Sequence, residues 1–317
     1  MIIKSTEIPG EKLGQMPLCC TDVFDVPLQP LVVAIGNFDG VHLGHQTVFR
    51  QMREIADQRG VRTLVITFRD NPKFEIPGRG HILTEQQQLE ALYRAGGQMV
   101  LLLDFRKYKD YTPEQFVSEV LIRGLHCEAV LVGEGFRFGK DRSGDTETLR
   151  RCLNAEGREL ISHPLVQYGG KTLSSTRIRK ALSAGDVDSA AAMLGRPVSY
   201  LLPVIEGEKL GRTIGIPTAN QLLPPLLHEP KFGVYETEVS VGDGMTYRAI
   251  SNIGVKPTVG SEHALIETHL LDYVDGELVG KRLRVTLKRF LRPEIKFDSV
   301  EALREQVMKD IASVREH

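Results

Sequence analysis

Two histidines three positions apart mark the first segment of the chain that could do chemistry. His42 and His45 lie within Gly36–His45, which follows a short apolar run and opens a region of helical spacing. The N–H groups at a helix N-terminus attract phosphate oxygens, and glycines let the backbone approach them closely. Residues three apart share one helix face, so both imidazoles could donate hydrogen bonds to a triphosphate. The spacing predicts a phosphate site; the alternative is that the histidines only cap the helix.

A second such segment, Gly211–Asn220, combines glycines and a proline with small oxygen-bearing side chains. Thr218 and Asn220 offer neutral oxygen atoms that, with substrate phosphates and water, suit Mg²⁺, which rarely has a complete protein cage. Glu267 has apolar residues on both sides, namely Leu265, Ile266, Leu270 and Leu271. An ionised carboxylate in such surroundings needs a purpose or a partner. The alternatives are a Gly/Pro turn that leads into a strand, and a Glu267 side chain that points outward from a strand.

Short apolar runs alternate with helical patterns through the first half of the chain. The runs predicted to be strands are Leu31–Ile35, Leu64–Phe68, Met99–Leu103 and Ala129–Val132. Between the first two, apolar residues recur at helical spacing from Val48 to Ala56, and Gly60 stands where a C-terminal cap belongs. This alternation predicts an α/β domain with a Rossmann-like parallel sheet, which binds ligands beyond the carboxyl ends of its strands.

Alternating polar and apolar residues characterise the second half of the chain. Tyr235–Val241 and Leu283–Leu287 have the pattern of half-buried strands, and Gly242–Gly244 has the composition of a hairpin turn. Several such strands predict a small antiparallel β-barrel. Apolar residues at helical spacing predict a terminal helix that packs on the barrel, with Asp298 and Glu301 as its capping box.

Length and composition limit the class of protein. The 317 residues favour two domains, joined within Gly185–Pro203 and assigned to residues 1–185 and 186–317. The formal charge of −1 excludes a field that draws the whole molecule onto nucleic acid or anionic lipid. The four cysteines lack both zinc-site spacing and the density of a disulfide scaffold. With no signal peptide and no long apolar run, a cytoplasmic location is expected.

The histidine segment resembles the HxGH nucleotidyltransferase superfamily. The whole stretch Gly36–His45 is similar to the FMN adenylyltransferase module of bacterial bifunctional riboflavin kinase/FAD synthetases, as are Phe136–Gly139 (FRFG) and Ser174–Arg179 (SSTRIR). The resemblance implies that His42 and His45 are catalytic. It implies ATP or phosphate binding by Gly36, Asn37, Phe38, Asp39, Gly44, Arg137, Ser174, Ser175, Thr176 and Arg179. Taken alone, the SSTRIR segment is a well-capped helix start.

The second segment is similar to the GRxxGxPTAN motif of riboflavin kinases. Further motifs of that family follow in the same order, namely Gly233–Tyr235, Asn252–Gly254 with Pro257 and Thr258, and Glu267 before Thr268–Leu270. The resemblance implies the following roles: ATP binding by Gly211, Gly215 and Pro217, Mg²⁺ binding by Thr218 and Asn220, proton acceptance by Glu267 and flavin binding by Arg292. For Arg292, a structural salt bridge is the alternative.

Four residues near the expected mouth of the first site depart from the family pattern. The family usually has Glu-Pro-His-Pro where this chain has Arg69, Asp70, Asn71 and Pro72, and it has Asp or Asn where Gly135 stands. The reversed charge at Arg69 and the imidazole lost at Asn71 could alter flavin placement or slow adenylyl transfer. In the second domain Leu202–Pro203 and Val279 also differ, and changed loop packing with retained activity is expected.

The resemblance covers nearly the whole chain and implies a bifunctional enzyme. One domain phosphorylates riboflavin to FMN with ATP, and the other adenylylates FMN to FAD with release of pyrophosphate, both with Mg²⁺. The expected partners are the small molecules riboflavin, FMN and ATP, with no nucleic acid and no membrane. Two alternatives stay open: a riboflavin kinase with a degenerate adenylyltransferase domain, and a non-catalytic flavin-binding regulator.

Overall fold

The computed structural model describes residues 17–69, 71–76, 78–207, 211, 215–242, 244–255, 264–274 and 276–316. These residues form two units. The first unit contains the described residues up to 76 together with 85–175, and the second contains 78–84 and the described residues from 176 onward. Some motif residues named above lie outside the described residues: Asp70, 212–214, Asp243, Pro257 and Thr258.

A six-stranded parallel sheet is the centre of the first unit. Its strands in chain order are β1 (Leu18–Cys20), β2 (Leu31–Ile35), β3 (Arg62–Arg69), β4 (Met99–Asp104), β5 (Cys127–Gly133) and β6 (Glu159–His163). In space they are ordered β1-β4-β3-β2-β5-β6, which confirms the predicted Rossmann-like sheet. The chain order reverses beside β2, because β3 pairs on one side of it and β5 on the other. Such a switch point opens a ligand crevice at the carboxyl ends of the strands.

Helices follow most of these strands. They are α1 (Leu43–Arg59), α2 (Glu85–Arg94), α3 (Phe105–Tyr108), α4 (Pro113–Gln115), a π-helix (Phe116–Gly124) and α5 (Thr146–Ala155). A small hairpin of β7 (Gln167–Tyr168) and β8 (Lys171–Thr172) precedes α6 (Ser175–Ala184), which continues into the second unit. Gly60 ends α1 in the left-handed conformation with φ of 67°, as the sequence predicts.

An antiparallel six-stranded sheet forms the second unit, after helix α7 (Val187–Leu194). Its strands are β9 (Ser199–Pro203), β10 (Ala219–Leu222), β11 (Gly233–Val241), β12 (Met245–Val255), β13 (Ala264–Leu270) and β14 (Arg282–Arg292). In space they are ordered β10-β13-β12-β11-β14-β9. A bridge between Ile205, just past β9, and Asn220 of β10 joins the two ends of this order. The sheet therefore curls into the small barrel that the alternating pattern predicts.

A buried chain of hydroxyl groups holds the middle of this barrel together. The hydroxyl of Ser251 on β12 lies 2.9 Å from that of Thr237 on β11 and 2.8 Å from that of Thr268 on β13. All three side chains are buried. Since successive side chains of a strand point to opposite faces, the neighbours of Thr268 on β13, Glu267 and His269, face away from this interior. Both are half-buried.

The terminal helix α8 (Val300–Arg315) packs on the barrel, as predicted. Its apolar contacts with the sheet involve Val234, Ile250, Leu271, Leu291, Val307, Ile311 and Val314. The predicted capping box is wrong, because the N-cap is Ser299 rather than Asp298. The Ser299 hydroxyl accepts a hydrogen bond from the Ala302 amide at 3.1 Å. Asp298 lies one residue too early to cap the first turn.

All four cysteines are free thiols, and three of them are buried. Cys19, Cys20 and Cys127 are buried, Cys152 is half-buried, and none forms a disulfide. Burial raises the pKa of the Cys19 thiol to about 11 and that of Cys127 to about 12. These two thiols therefore stay protonated at neutral pH.

No helix among the described residues has the length and apolar character needed to cross a membrane.

Candidate active sites

The corner between β2 and α1 is the first candidate site. Gly36 continues the sheet by donating its amide to the Ile66 carbonyl at 3.1 Å, and the chain then turns sharply. Phe38 and Val41 adopt positive φ angles of 44° and 41°, and Gly40 lies between them at 78°. A positive φ is a real outlier for a β-branched residue such as Val41. Such strain is typical of functional corners that their surroundings hold in place.

His42 and His45 form one stacked pair at the start of α1. Their ring centroids lie 3.6 Å apart with an interplanar angle of 17°, and the Phe38 ring stands perpendicular to that of His45 with the centroids 5.3 Å apart. His42 is the N-cap, and its Nδ1 accepts the amide of His45 at 3.3 Å. Since Nδ1 accepts, the neutral His42 ring carries its proton on Nε2, which makes Nε2 a hydrogen-bond donor. The helix N-terminus and this imidazole together favour an anion.

Asn37 is held in this corner from three directions. The Thr67 hydroxyl and the Gln88 amide group each donate to the Asn37 carbonyl at 3.1 Å. Asn71 donates from Nδ2 to the Asn37 side-chain oxygen at 3.0 Å. Asn71 departs from the family pattern, but its side chain still contacts the corner between β2 and α1. With Oδ1 taken by Asn71, the Nδ2 group of Asn37 is the end that can donate to a ligand.

The charge of Arg69 is neutralised within the first unit. Its Nε lies 3.1 Å from Glu85 Oε2 and its Nη2 lies 2.9 Å from Glu85 Oε1, a bidentate pair between the end of β3 and the start of α2. Paired in this way, the guanidinium is oriented by a carboxylate rather than free to attract the substrate phosphates. The charge reversal at position 69 therefore has a partner that the sequence pattern did not predict.

The loop after β5 carries Arg137 to the same edge of the sheet as the histidines, because β5 pairs with β2. Arg137 Nη1 lies 3.5 Å from Asp145 Oδ2. The amide and the hydroxyl of Thr148 donate to the Asp145 carboxylate and lower its pKa, and Arg137 lowers it further. Gly135 has φ of 78°. Gly, Asn and Asp are the residue types that tolerate this left-handed backbone, so Gly135 keeps the loop conformation while removing a side chain.

The SSTRIR segment divides between the two units. Ser175 donates its hydroxyl to the Asp39 carbonyl at 2.8 Å and is thereby brought to the histidine corner, where Gly44 packs against the His42 ring. In the second unit Arg179 donates from Nε to the Gly80 carbonyl at 2.7 Å, and Thr176 is exposed. The described contacts therefore join Ser175 to the corner and place Arg179 against Gly80.

A single cross-strand row forms the second candidate site. Strand register places five residues side by side from β10 to β14: Asn220, Glu267, Asn252, Val234 and Arg292. Directly opposed residues point to the same face of a sheet. The row therefore puts the predicted metal ligand at one end, the predicted base beside it and the predicted flavin-binding arginine at the other end. All five line one cavity of about 340 Å³ between the barrel and α8.

A larger cavity of about 560 Å³ adjoins the first one. Its wall contains the loop from Gly215 to Asn220 and the segment after β13. Thr218, Asn220 and His269 line both cavities, so the two spaces meet at these side chains. Ligands bound in the two cavities would be neighbours at these side chains.

The predicted metal ligands lie on a tightly packed loop. Asn220 donates from Nδ2 to the Thr218 carbonyl at 3.5 Å, and its amide lies so close to Gly207 that a Cβ there would overlap it. Ile216 donates to the Gly211 carbonyl at 2.7 Å. The oxygens available beside the row come from a hydroxyl, an amide and a carboxylate, which is the donor chemistry that Mg²⁺ prefers. The residues present therefore fit a magnesium ion that is bound together with nucleotide phosphates.

Arg292 forms the salt bridge that the sequence left as its alternative role. Its Nε contacts both carboxylate oxygens of Asp310 at 3.1 and 3.0 Å, and its Nη2 lies 2.6 Å from Oδ2. Gln306 donates to the same carboxylate at 2.9 Å. The side chains of Arg292 and Asp310 are 16% and 7% exposed. Helix α8 thus fixes the guanidinium in the wall of the smaller cavity, a role for Asp310 that no local pattern indicates.

Two further polar residues of the smaller cavity have no role assigned from the sequence. Asn252 donates to Glu294 Oε1 at 3.2 Å, and both side chains line the cavity with Glu267. The Glu294 carboxylate packs directly against Gly254, where a Cβ would displace it. Asn252 belongs to a recognised motif, but its partner Glu294 comes from the segment after β14.

Comparisons with known proteins match the two halves of the chain to two different families. The FAD synthetase family model matches residues 26–177 and the riboflavin kinase family model matches residues 194–317. A bifunctional riboflavin kinase/FMN adenylyltransferase of Pseudomonas fluorescens is 38% identical over 90% of this chain and 92% of its own length. The protein of the same name from Escherichia coli K12 is 34% identical over 92% of this chain and 93% of its own length. The solved structure of a macrolide-efflux protein from Streptococcus pneumoniae is similar with a TM-score of 0.84 and 30% identity, over 96% of this chain and all of that one.

Proposed function

The chain belongs to the bifunctional riboflavin kinase/FMN adenylyltransferase family, and from this premise we propose which residues carry out each reaction. The family supplies the two chemical steps, phosphorylation of riboflavin to FMN and adenylylation of FMN to FAD. The single observation that supports the residue assignment is the row from Asn220 to Arg292, which aligns a metal ligand, a carboxylate and a cation along one cavity.

In the kinase reaction, Glu267 is the proposed base. A primary hydroxyl is a weak nucleophile at neutral pH, and a carboxylate within hydrogen-bond reach accepts its proton as the bond to the γ-phosphorus forms. The cavity lined by Glu267 and Arg292 is assigned to riboflavin and the larger cavity to ATP. Because the two meet at Thr218 and Asn220, the hydroxyl and the γ-phosphate would come together beside Glu267.

Magnesium is proposed to be held by Thr218 and Asn220, with the nucleotide phosphates completing its ligands. A bound Mg²⁺ neutralises phosphate charge and orients the γ-phosphate. The chain's own contribution is to fix these two oxygens, through the packing of Asn220 against Gly207 and the turn closed between Gly211 and Ile216. Gly215 and Pro217 shape the loop that surrounds the phosphates.

In the adenylyltransferase reaction, the histidine corner of the first unit is the proposed catalytic site. The FMN phosphate attacks the α-phosphorus of ATP, and the bond to the leaving pyrophosphate breaks without a covalent enzyme intermediate. His42, through Nε2–H, and His45 donate hydrogen bonds to the phosphate oxygens as charge develops on them. Asn37, Ser175 and the amides of the corner orient the triphosphate, and the guanidinium of Arg137, which Asp145 orients at the same edge, donates to it.

We propose that the chain has both activities, although Arg69, Asn71 and Gly135 depart from the family pattern. Glu85 neutralises Arg69, Asn71 hydrogen-bonds to Asn37, and Gly135 preserves the left-handed backbone of its loop. These contacts favour the bifunctional enzyme over a kinase with an inactive first unit. The buried reduced thiols are compatible with the cytoplasm, which we propose as its location.

Incubation of the purified chain with riboflavin, ATP and Mg²⁺, followed by chromatographic separation, tests the proposal. We expect FMN first and FAD after it, and neither product when EDTA is present. FMN that accumulates without FAD would support the narrower kinase, and the absence of both products would support a flavin-binding regulator. FAD synthesis from supplied FMN measures the first unit separately.

A further inference from the structure

His269 is a polar residue that the reactions above do not use, yet it lies where the two cavities of the barrel meet. It is two positions after Glu267 on β13, so both side chains lie on the same face of the strand. The opposite face is fixed by the buried hydroxyls of Thr268 and Ser251 at 2.8 Å. His269 is therefore presented by a rigid strand rather than by a loop.

The ring of His269 is held by one backbone group of the phosphate loop. Its Nδ1 lies 2.8 Å from the carbonyl oxygen of Pro217. A carbonyl oxygen only accepts hydrogen bonds, so Nδ1 is the donor and carries the proton. The pairing of β10 with β13 ends at Ala219 and Thr268, and His269 comes next on β13. Its side chain thus extends the attachment of β13 beyond the end of the ladder to Pro217.

The contact with His269 holds the one backbone hydrogen-bonding group that Pro217 has. Proline has no backbone N–H, so only its carbonyl can tie this residue to a neighbouring strand. Its carbonyl, fixed from outside, sets the direction in which the chain enters Thr218. The Thr218 carbonyl in turn accepts from Asn220 at 3.5 Å, so consecutive carbonyls are held by His269 and by Asn220.

We propose that His269 is a positioning residue for the kinase reaction. Its Nδ1–H holds the Pro217 carbonyl and thereby fixes the loop that presents Thr218 and Asn220 to the phosphates of ATP. This role rests on the proposed assignment of the larger cavity to ATP. The expected consequence is an effect on nucleotide binding, with little effect on riboflavin binding.

Three substitutions distinguish this role from its competitors. In His269→Asn the amide nitrogen is bonded to Cγ, as Nδ1 is, and it can still donate to Pro217. In His269→Gln the nitrogen lies one bond further out, nearer the position of Nε2, and the donor to Pro217 is lost. His269→Ala removes both. His163→Asn, which alters a histidine bonded to Gln51 in the first unit, is the matched control.

The measurements are calorimetric binding of ADP with Mg²⁺ and the KM values for ATP and riboflavin in FMN formation. We expect Ala and Gln to weaken ADP binding and raise the KM for ATP by about fivefold, the effect of one lost hydrogen bond, with a smaller change in kcat. Asn and the His163→Asn control are expected to stay near the wild type. FAD synthesis from FMN reports that the first unit is intact.

Other outcomes would overturn the role of His269. A near-normal Gln variant beside an impaired Asn variant would mean that Nε2 acts on a substrate directly. Equal losses in all three variants would mean that the ring only packs, and no loss in any would mean that the contact is without effect. Failure of the wild type to form FMN would instead overturn the proposed function, since ADP binding to the variants is measured without turnover.

Discussion

The two candidate sites are assembled in opposite ways. The histidine corner, proposed for adenylyl transfer, takes most of its groups from Gly36–His45, the turn between a strand and a helix. The proposed kinase site takes its groups from five strands, in a row that extends from Asn220 to Arg292, and from helix α8. The first site is therefore defined by local backbone conformation, including the positive φ of Val41, and the second by strand register.

This difference determines what damages each site. A local corner depends on a few backbone angles and on the imidazoles that it carries. A row across a sheet depends on every strand that contributes to it, because a shift of one residue in a strand turns its side chains to the other face. The two activities should consequently be separable by substitution, and long-range contacts should matter more for the kinase.

The largest expected effect comes from Glu267→Gln, which keeps the shape of the side chain but removes its ability to accept a proton. FMN formation should fall by about 10²- to 10⁴-fold, the usual contribution of a general base. FAD synthesis from supplied FMN should be unchanged, because Glu267 belongs to the second unit only. Product chromatography measures both rates, and an unaltered kinase rate would remove Glu267 from its proposed role.

His42→Ala is the corresponding change in the local corner. It removes the N-cap acceptor of the His45 amide and one ring of the stacked pair, and with them the proposed donor to the phosphates. FAD synthesis should fall by about 10²- to 10³-fold, as when one donor to a developing phosphate charge is deleted. FMN formation should continue. If FAD synthesis continued at the full rate, the histidine corner would not be the site of adenylyl transfer.

The contrast between the sites also explains what the sequence could predict. Strand β2 has the predicted bounds Leu31–Ile35, and the corner after it follows from its glycines and histidines. In this region the signal and the structure lie within the same ten residues. The expected cap of α8 was wrong by one residue, since Asp298 and Ser299 are both good N-caps and only the observed backbone decides between them.

Other features of the sites had no local signal. Register pairs Glu267 with both Asn220 and Asn252, and the order of strands then adds Arg292, none of which follows from spacing along the chain. The partners Asp310 of Arg292 and Glu85 of Arg69 are ordinary acidic residues of helices. Their roles depend on tertiary contacts, so only the structure reveals them.

Asp310→Ala tests whether the row depends on α8. The variant leaves Arg292 without its carboxylate in a site where the arginine is only 16% exposed. Removing one partner of a buried ion pair costs about 3–5 kcal/mol in free energy of unfolding. Urea denaturation followed by circular dichroism should show that loss, and FMN formation should fall while FAD synthesis from FMN continues.

The controls for Asp310→Ala are one conservative and one exposed substitution. Asp310→Asn keeps an acceptor oxygen and should lose less stability. Lys288→Ala breaks the exposed pair of Lys288 with Glu238, whose atoms lie 3.3 Å apart, and should cost no more than about 1 kcal/mol. Equal costs for the buried and the exposed pair would show that α8 does not support the row through Arg292.

The smallest expected effect comes from Asn71→Ala, at one of the departures from the family pattern. The variant removes the hydrogen bond of 3.0 Å that orients the Asn37 side chain, while the Asn37 carbonyl keeps Thr67 and Gln88. A single hydrogen bond contributes about 1 kcal/mol, so the KM for ATP in FAD synthesis should rise by about fivefold. Asn71→His, which restores the residue type of the family, tests whether an imidazole serves this position better.

Arg69→Ala is the comparison for Asn71→Ala. Arg69 is paired with Glu85 at the surface and has no contact with Asn37 among those described. Its removal should therefore raise the KM for ATP less than the removal of the Asn71 side chain does. The reverse order would mean that the charge at position 69, rather than the orientation of Asn37, controls the first site.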